Sequence, residues 1–101
     1  MPNDYDGHSL EFTRYASRLE RHLRKNGISC RDADLIIEES SELYFDKLRS
    51  VENRFFRLVR KPDLEKHFVD SAYVAIERRI PEAKRTFGSR SEIARCIHWT
   101  G

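Results

Sequence analysis

Apolar residues recur at intervals of three and four along most of this chain, a period that belongs to helices rather than strands. From about Ser9 to Lys25, Phe12, Ala16, Leu19 and Leu23 fall on one stripe with Tyr15 beside it. Arg14, Arg18, Arg21 and Lys25 fall on the opposite side. "KNGIS" closes this helix, because Asn26 and Gly27 suit the left-handed cap. A second helix is predicted from near Cys30–Asp32 to about Ser50, with Ala33, Ile36, Ile37, Ser40, Tyr44 and Leu48 on its inner face. Pro62 suits a helix start, and Leu64, Phe68, Ala72, Ala75 and Ile76 continue the helical spacing towards Ile80. Pro81 imposes a break or kink. Gly88 is a stop, Ser89 a candidate N-cap, and Glu92 three residues later forms the capping-box pattern, with Ile93 and Ile97 facing inward and Trp99 near the end.

One segment resists this reading. In "ENRFFRLVRKP", Phe55, Phe56, Leu58 and Val59 have strand propensity, yet Arg54, Arg57 and Arg60 recur every three residues as on a helix. Residues 54–69 are therefore open between helix and strand. The remainder predicts an all-α fold of four to five helices, forming one domain over residues 9–101 behind a flexible arm of residues 1–8.

Composition sharpens the picture. The chain has 101 residues, enough for one small core, and its hydrophobic fraction of 39% against a charged fraction of 36% keeps that core modest. A core so small invites completion by a partner or a second copy, so a homodimer is among the expectations. No apolar run reaches the roughly 18–20 residues of a membrane span, and the polar, acidic start "MPNDYDGHSL" is unlike a signal peptide. Two well-separated cysteines, Cys30 and Cys96, then fit reduced thiols in a cytoplasmic protein.

The net charge of +2 hides segregation. Between Arg14 and Lys25 there are five basic residues and one acid, whereas Arg31 to Asp46 holds six acids and one base. Glu38, Glu42 and Asp46 stack at i, i+4 and i+8, with Asp34 and Glu39 flanking. That is where an amphipathic helix puts its solvated side, and it is also a ready docking stripe for a basic partner.

Candidate chemistry comes from three resemblances of different classes. "RLERHLRKNGISCRDADLIIEESSELYFDKL" resembles region 2 of extracytoplasmic-function sigma factors over residues 14–60, where a basic helix and short turn precede an acidic helix of pattern D-L-V-Q-E-T-F-L-R-L-Y. Asp34, Leu35, Ile36, Glu38, Leu43 and Tyr44 match, while Ile37 and Ser40 replace the glutamine and phenylalanine. The resemblance implies that Glu38, Glu42 and Asp46 face RNA polymerase. It also implies that Arg54, Phe55, Phe56, Arg57 and Arg60 face nucleic acid, aromatic rings stacking on bases while arginines hold phosphates.

Glu38, Glu39 and Glu42 also spell E-E-x-x-E, a spacing that directs carboxylates towards a hard cation such as magnesium. It is similar to the first half of the MazG-type nucleotide pyrophosphohydrolase signature, an all-helical family that completes its site with E-x-x-D. Here "HFVD" puts His67 and Asp70 in those places, so the resemblance implies a magnesium site of Glu38, Glu39, Glu42 and Asp70. Lastly, "GHSLEFTRYASRLERHL" followed by "DSAYVAIERRIPEAKR" is similar to short ribosome hibernation factors. That resemblance implies an α+β fold on the ribosome, with "DLIIEES", "RFFRLVRK" and "LEKHFV" as strands.

No nucleophile elbow, phosphate loop or Cys/His catalytic grouping is present, and His8, His22, His67 and His98 show no metal pairing. The expectation is a small helical binding or regulatory protein in the cytoplasm, without catalysis and without a cofactor. Its partner would be a protein or nucleoprotein, RNA polymerase or the ribosome, and not a membrane.

Overall fold

The period-3.6 pattern is realised as four α-helices in this computed structural model, which describes residues 5–55 and 61–98, with side chains described over 11–50 and 64–98. α1 spans Tyr5–Lys25, α2 Cys30–Phe55, α3 Lys61–Arg79 and α4 Arg90–His98, with a short 3₁₀ segment, Pro81–Arg85, between the last two. No strand occurs among the described residues, so the fold is all-α. The strands expected for the hibernation-factor resemblance are overturned at 34–40 and 64–69, which lie within α2 and α3. Both segments carry helical periodicity with their apolar residues on one side, which is the stronger signal over that length. Of the ambiguous segment, Arg54–Phe55 ends α2 and Lys61–Val69 opens α3, while residues 56–60 lie outside the described residues.

Two element bounds differ from expectation. α1 begins at Tyr5, so residues 5–8 of the expected arm are helical, and residues 1–4 lie outside the described residues. α2 runs five residues past Ser50, since the sequence offers neither Gly nor Pro to stop it there.

The turn between α1 and α2 shows how the chain reverses. Ile28 N–H donates to the Leu23 carbonyl at 3.0 Å and Gly27 N–H to the Arg24 carbonyl at 3.1 Å. This pair of bonds is a Schellman closure, with Gly27 in the left-handed region at φ 89°. Ile28 packs against the core as the closure's apolar residue. Ser29 then caps α2, its hydroxyl accepting the Asp32 N–H at 3.1 Å.

One core collects the inner faces of all four helices. Leu19 and Leu23 of α1, Ala33, Ile36, Tyr44 and Leu48 of α2, Phe68, Ala72, Ala75 and Ile76 of α3, and Ile93 and Ile97 of α4 are buried. Aromatic rings tie three helices at one level: Phe12 lies 5.3 Å from Tyr44, 5.6 Å from Phe45 and 5.5 Å from Phe68, centroid to centroid. Such tilted and edge-on contacts suit the ring quadrupoles and add to simple burial. Small buried residues on α3 (Ser71, Ala72, Ala75) and Ser40 on α2 keep both inner faces slim where the two helices pack. The Ser40 hydroxyl is satisfied locally, donating to the Ile36 carbonyl at 2.7 Å.

α4 is placed last, across α1 and α3. The 3₁₀ segment carries Pro at its start and buries Ala83, whose carbonyl accepts from the N–H groups of Thr86 and Gly88. Gly88 is there because a Cβ would stand 2.7 Å from Ile76 Cγ2 and 3.0 Å from the Ala83 oxygen. Ser89 caps α4 as expected, its hydroxyl accepting the Glu92 N–H at 3.3 Å. The reciprocal half of the box is absent, because Ser89 N–H donates to the Thr86 carbonyl and Glu92 pairs with Arg95.

Candidate functional site

The amphipathic division of α1 sets one wall of a cleft. With Leu19 and Leu23 turned into the core, Arg18, Arg21, His22 and Lys25 stand on the flank that meets α4. Arg18 was expected on the solvated side, but it is half-buried and donates to the Ile97 carbonyl near the C-terminal end of α4. A cation suits that position, where a helix presents unpaired carbonyls and the negative end of its dipole. His22 Nε2 lies 2.8 Å from the Phe87 carbonyl, so that nitrogen carries the proton, and the two rings meet edge-on at 6.2 Å. Arg95, Glu92 and Cys96 of α4 supply the facing wall, with Arg95 3.6 Å from Glu92. The cleft is open to solvent and has a volume of about 480 Å³.

Cys96 is half-buried at this wall. Burial pushes its thiol up to about 11; the Arg18 charge opposes that rise and Glu92 adds to it. A protonated thiol of this kind is a packing group rather than a nucleophile.

The acids of α2 divide into two groups. Glu39 and, from α3, Asp70 are turned towards neighbouring helices and paired: Glu39 with Arg78 at 2.8 Å, Asp70 with Arg90 at 3.2 Å and Lys47 at 3.8 Å. Arg90 also lies 4.2 Å over the Tyr73 ring, fastening α4 to α3. Glu38, Glu42 and Asp46 are exposed on one face of α2. Asp46 pairs with Arg49 one turn on, and neither Glu38 nor Glu42 has an ion-pair partner among the described residues. The four carboxylates of the magnesium alternative (Glu38, Glu39, Glu42, Asp70) are not gathered into one ligand cluster. Among the described residues the clustered set is Glu20, Cys30 and Asp34, an exposed or half-exposed trio with ligand atoms within 4.8 Å of one another. Asp34 and Cys30 share a helical face and Glu20 joins them from α1, a tertiary approach that spacing along the chain does not reveal.

Of the expected nucleic-acid-facing group, Phe56, Arg57 and Arg60 lie outside the described residues, as do the side chains of Arg54 and Phe55. The basic cleft was not among the sites expected from sequence. Its α1 half was visible as a basic stripe, but Arg95 sits in a short terminal helix whose docking is set by long-range packing. No helix among the described residues is long and apolar enough to cross a membrane.

Comparison with protein-family models, with curated proteins and with solved structures finds no match to this chain.

Proposed function

We propose that this protein is a non-catalytic binding module that docks on a basic protein surface through the exposed acidic face of α2, with bacterial RNA polymerase as the partner. One observation carries the reading. The carboxylates that the fold uses internally, Glu39 and Asp70, are paired with Arg78, Arg90 and Lys47, whereas Glu38 and Glu42 have no ion-pair partner among the described residues. Three exposed acids at i, i+4 and i+8 form a rigid negative stripe that steers a positive partner and fixes its register. The resemblance of residues 14–60 to sigma region 2 names the polymerase. In this reading Arg54, Phe55, Phe56, Arg57 and Arg60 extend the interface towards nucleic acid, and the protein works in the cytoplasm with reduced thiols.

The test is binding of the purified chain to purified RNA polymerase core enzyme, measured at moderate salt beside the Glu38→Lys/Glu42→Lys variant. Wild-type binding that weakens at least ten-fold in the variant supports the reading. No binding, or equal binding by both proteins, removes it.

A further inference from the structure

We propose that the cleft between α1 and α4 is a binding site for an oligophosphate chain, either inorganic or the tail of a nucleotide. The site is separate from the acidic stripe and does not depend on that docking reading.

Charge comes first. Arg18, Arg21, Lys25 and Arg95 line the cleft against one carboxylate, Glu92, leaving a surplus of three positive charges in about 480 Å³. The whole chain carries a net charge of only +2. Elsewhere three cations that meet a neighbouring element are matched, Arg78 by Glu39, Arg90 by Asp70 and Lys84 by Glu77. In the cleft, neither Arg21 nor Lys25 has an ion-pair partner among the described residues. Like charges gathered in a cleft focus the field there and raise the local concentration of anions.

Pre-organisation comes second. The Arg18 guanidinium is tethered by the Ile97 carbonyl and the His22 ring by the Phe87 carbonyl, so two side chains of the α1 wall are held in place before a ligand arrives. Guanidinium groups match phosphate oxygens with paired N–H donors, and Lys25 adds a point charge.

Size and lining choose the ligand. The volume falls within the range of small-ligand sites, roughly 300–1,000 Å³. No Phe, Tyr or Trp ring is among the described lining residues, and the His22 ring is already engaged by Phe87, through the carbonyl and ring to ring. The described lining therefore offers charge to phosphates before it offers a surface to a base. The phosphate chain is what is recognised, and a nucleobase adds little.

Calorimetric titration of the full chain with inorganic triphosphate at low salt tests this, with adenosine triphosphate and a twelve-residue oligothymidylate run in parallel. Arg21→Ala/Lys25→Ala is the site variant, since both side chains are exposed, and circular dichroism checks its fold. Lys66→Ala/Arg79→Ala removes the same charge from exposed positions on α3. The expected result is one triphosphate site, adenosine triphosphate within about three-fold of it, and at least a ten-fold loss in the cleft variant only. Absence of triphosphate binding, or equal loss in the α3 control, overturns the site. So does oligothymidylate binding that triphosphate does not displace.

Discussion

Tyr44 is fully buried among aromatic rings, yet its hydroxyl has no hydrogen-bond partner among the described residues, whereas the Tyr15 hydroxyl lies against the Glu11 carboxylate. Burial and the nearby Glu11 carboxylate push both phenols well above their ordinary value, with Glu65 adding at Tyr15. An unpaired buried hydroxyl costs roughly 1–3 kcal/mol, and removing it while keeping the ring restores part of that. Tyr44→Phe is therefore expected to stabilise the fold by about 1 kcal/mol, read as a melting temperature higher by about 4–8 °C. A lower melting temperature would mean that the hydroxyl does have a partner. The two thiols give a second contrast at this scale. A thiol pushed up from 9.0 to about 11, as at Cys96, carries about a hundred-fold less thiolate at pH 8. Iodoacetamide at pH 8 should then modify exposed Cys30 and leave Cys96 intact in the folded chain, as peptide mass mapping can show. Equal labelling of both would contradict the packing that raises Cys96.

Among elements, junction chemistry decides more than propensity. Gly27 and Gly88 look alike in sequence but act differently. At Gly27 nothing lies within 4 Å of a built Cβ, so Gly27→Ala meets only the cost of a left-handed backbone, roughly 1 kcal/mol. At Gly88 a methyl group collides with Ile76 and with the Ala83 backbone, so overpacking of about 1–3 kcal/mol is expected. Urea denaturation of the two variants should rank Gly88→Ala as the more destabilised, and the reverse order would show that the 3₁₀ segment yields easily. The helices themselves were legible because Phe12, Leu19, Leu23, Ile36, Tyr44, Leu48, Phe68 and Ile76 keep the 3.6 period, and all of them are buried. Ser89 was legible as a cap for the same local reason. The start of α1 was not, since Gly7 is a poor helix former and breaks the pattern near residue 8. The Ser29 cap was hidden inside a turn already explained by Asn26 and Gly27.

For the whole molecule, segregated charge and a modest core meet in the response to alkali. Cys96, Tyr15 and Tyr44 all hold their protons more tightly in the folded state, by burial first and, at the two tyrosines, by nearby carboxylates second. The unfolded chain releases them near ordinary values, 9.0 for the thiol and 10.0 for the phenols. A raised pKa contributes stability that is complete below the unfolded value and is lost as pH climbs through the folded one. Urea midpoints should therefore stay level from pH 7 to about 8.5 and fall from pH 9 upward, with the thiol's share gone near 11. Absorbance at 295 nm identifies the groups responsible. Phenolate from Tyr15 and Tyr44 should appear together with loss of helical ellipticity rather than before it, and Tyr15→Phe/Tyr44→Phe should shift the alkaline transition upward. If phenolate from these two residues forms while the helices persist, the aromatic layer is open to water, and the tight seating of Phe12, Tyr44 and Phe68 at the centre of the bundle would have to be abandoned.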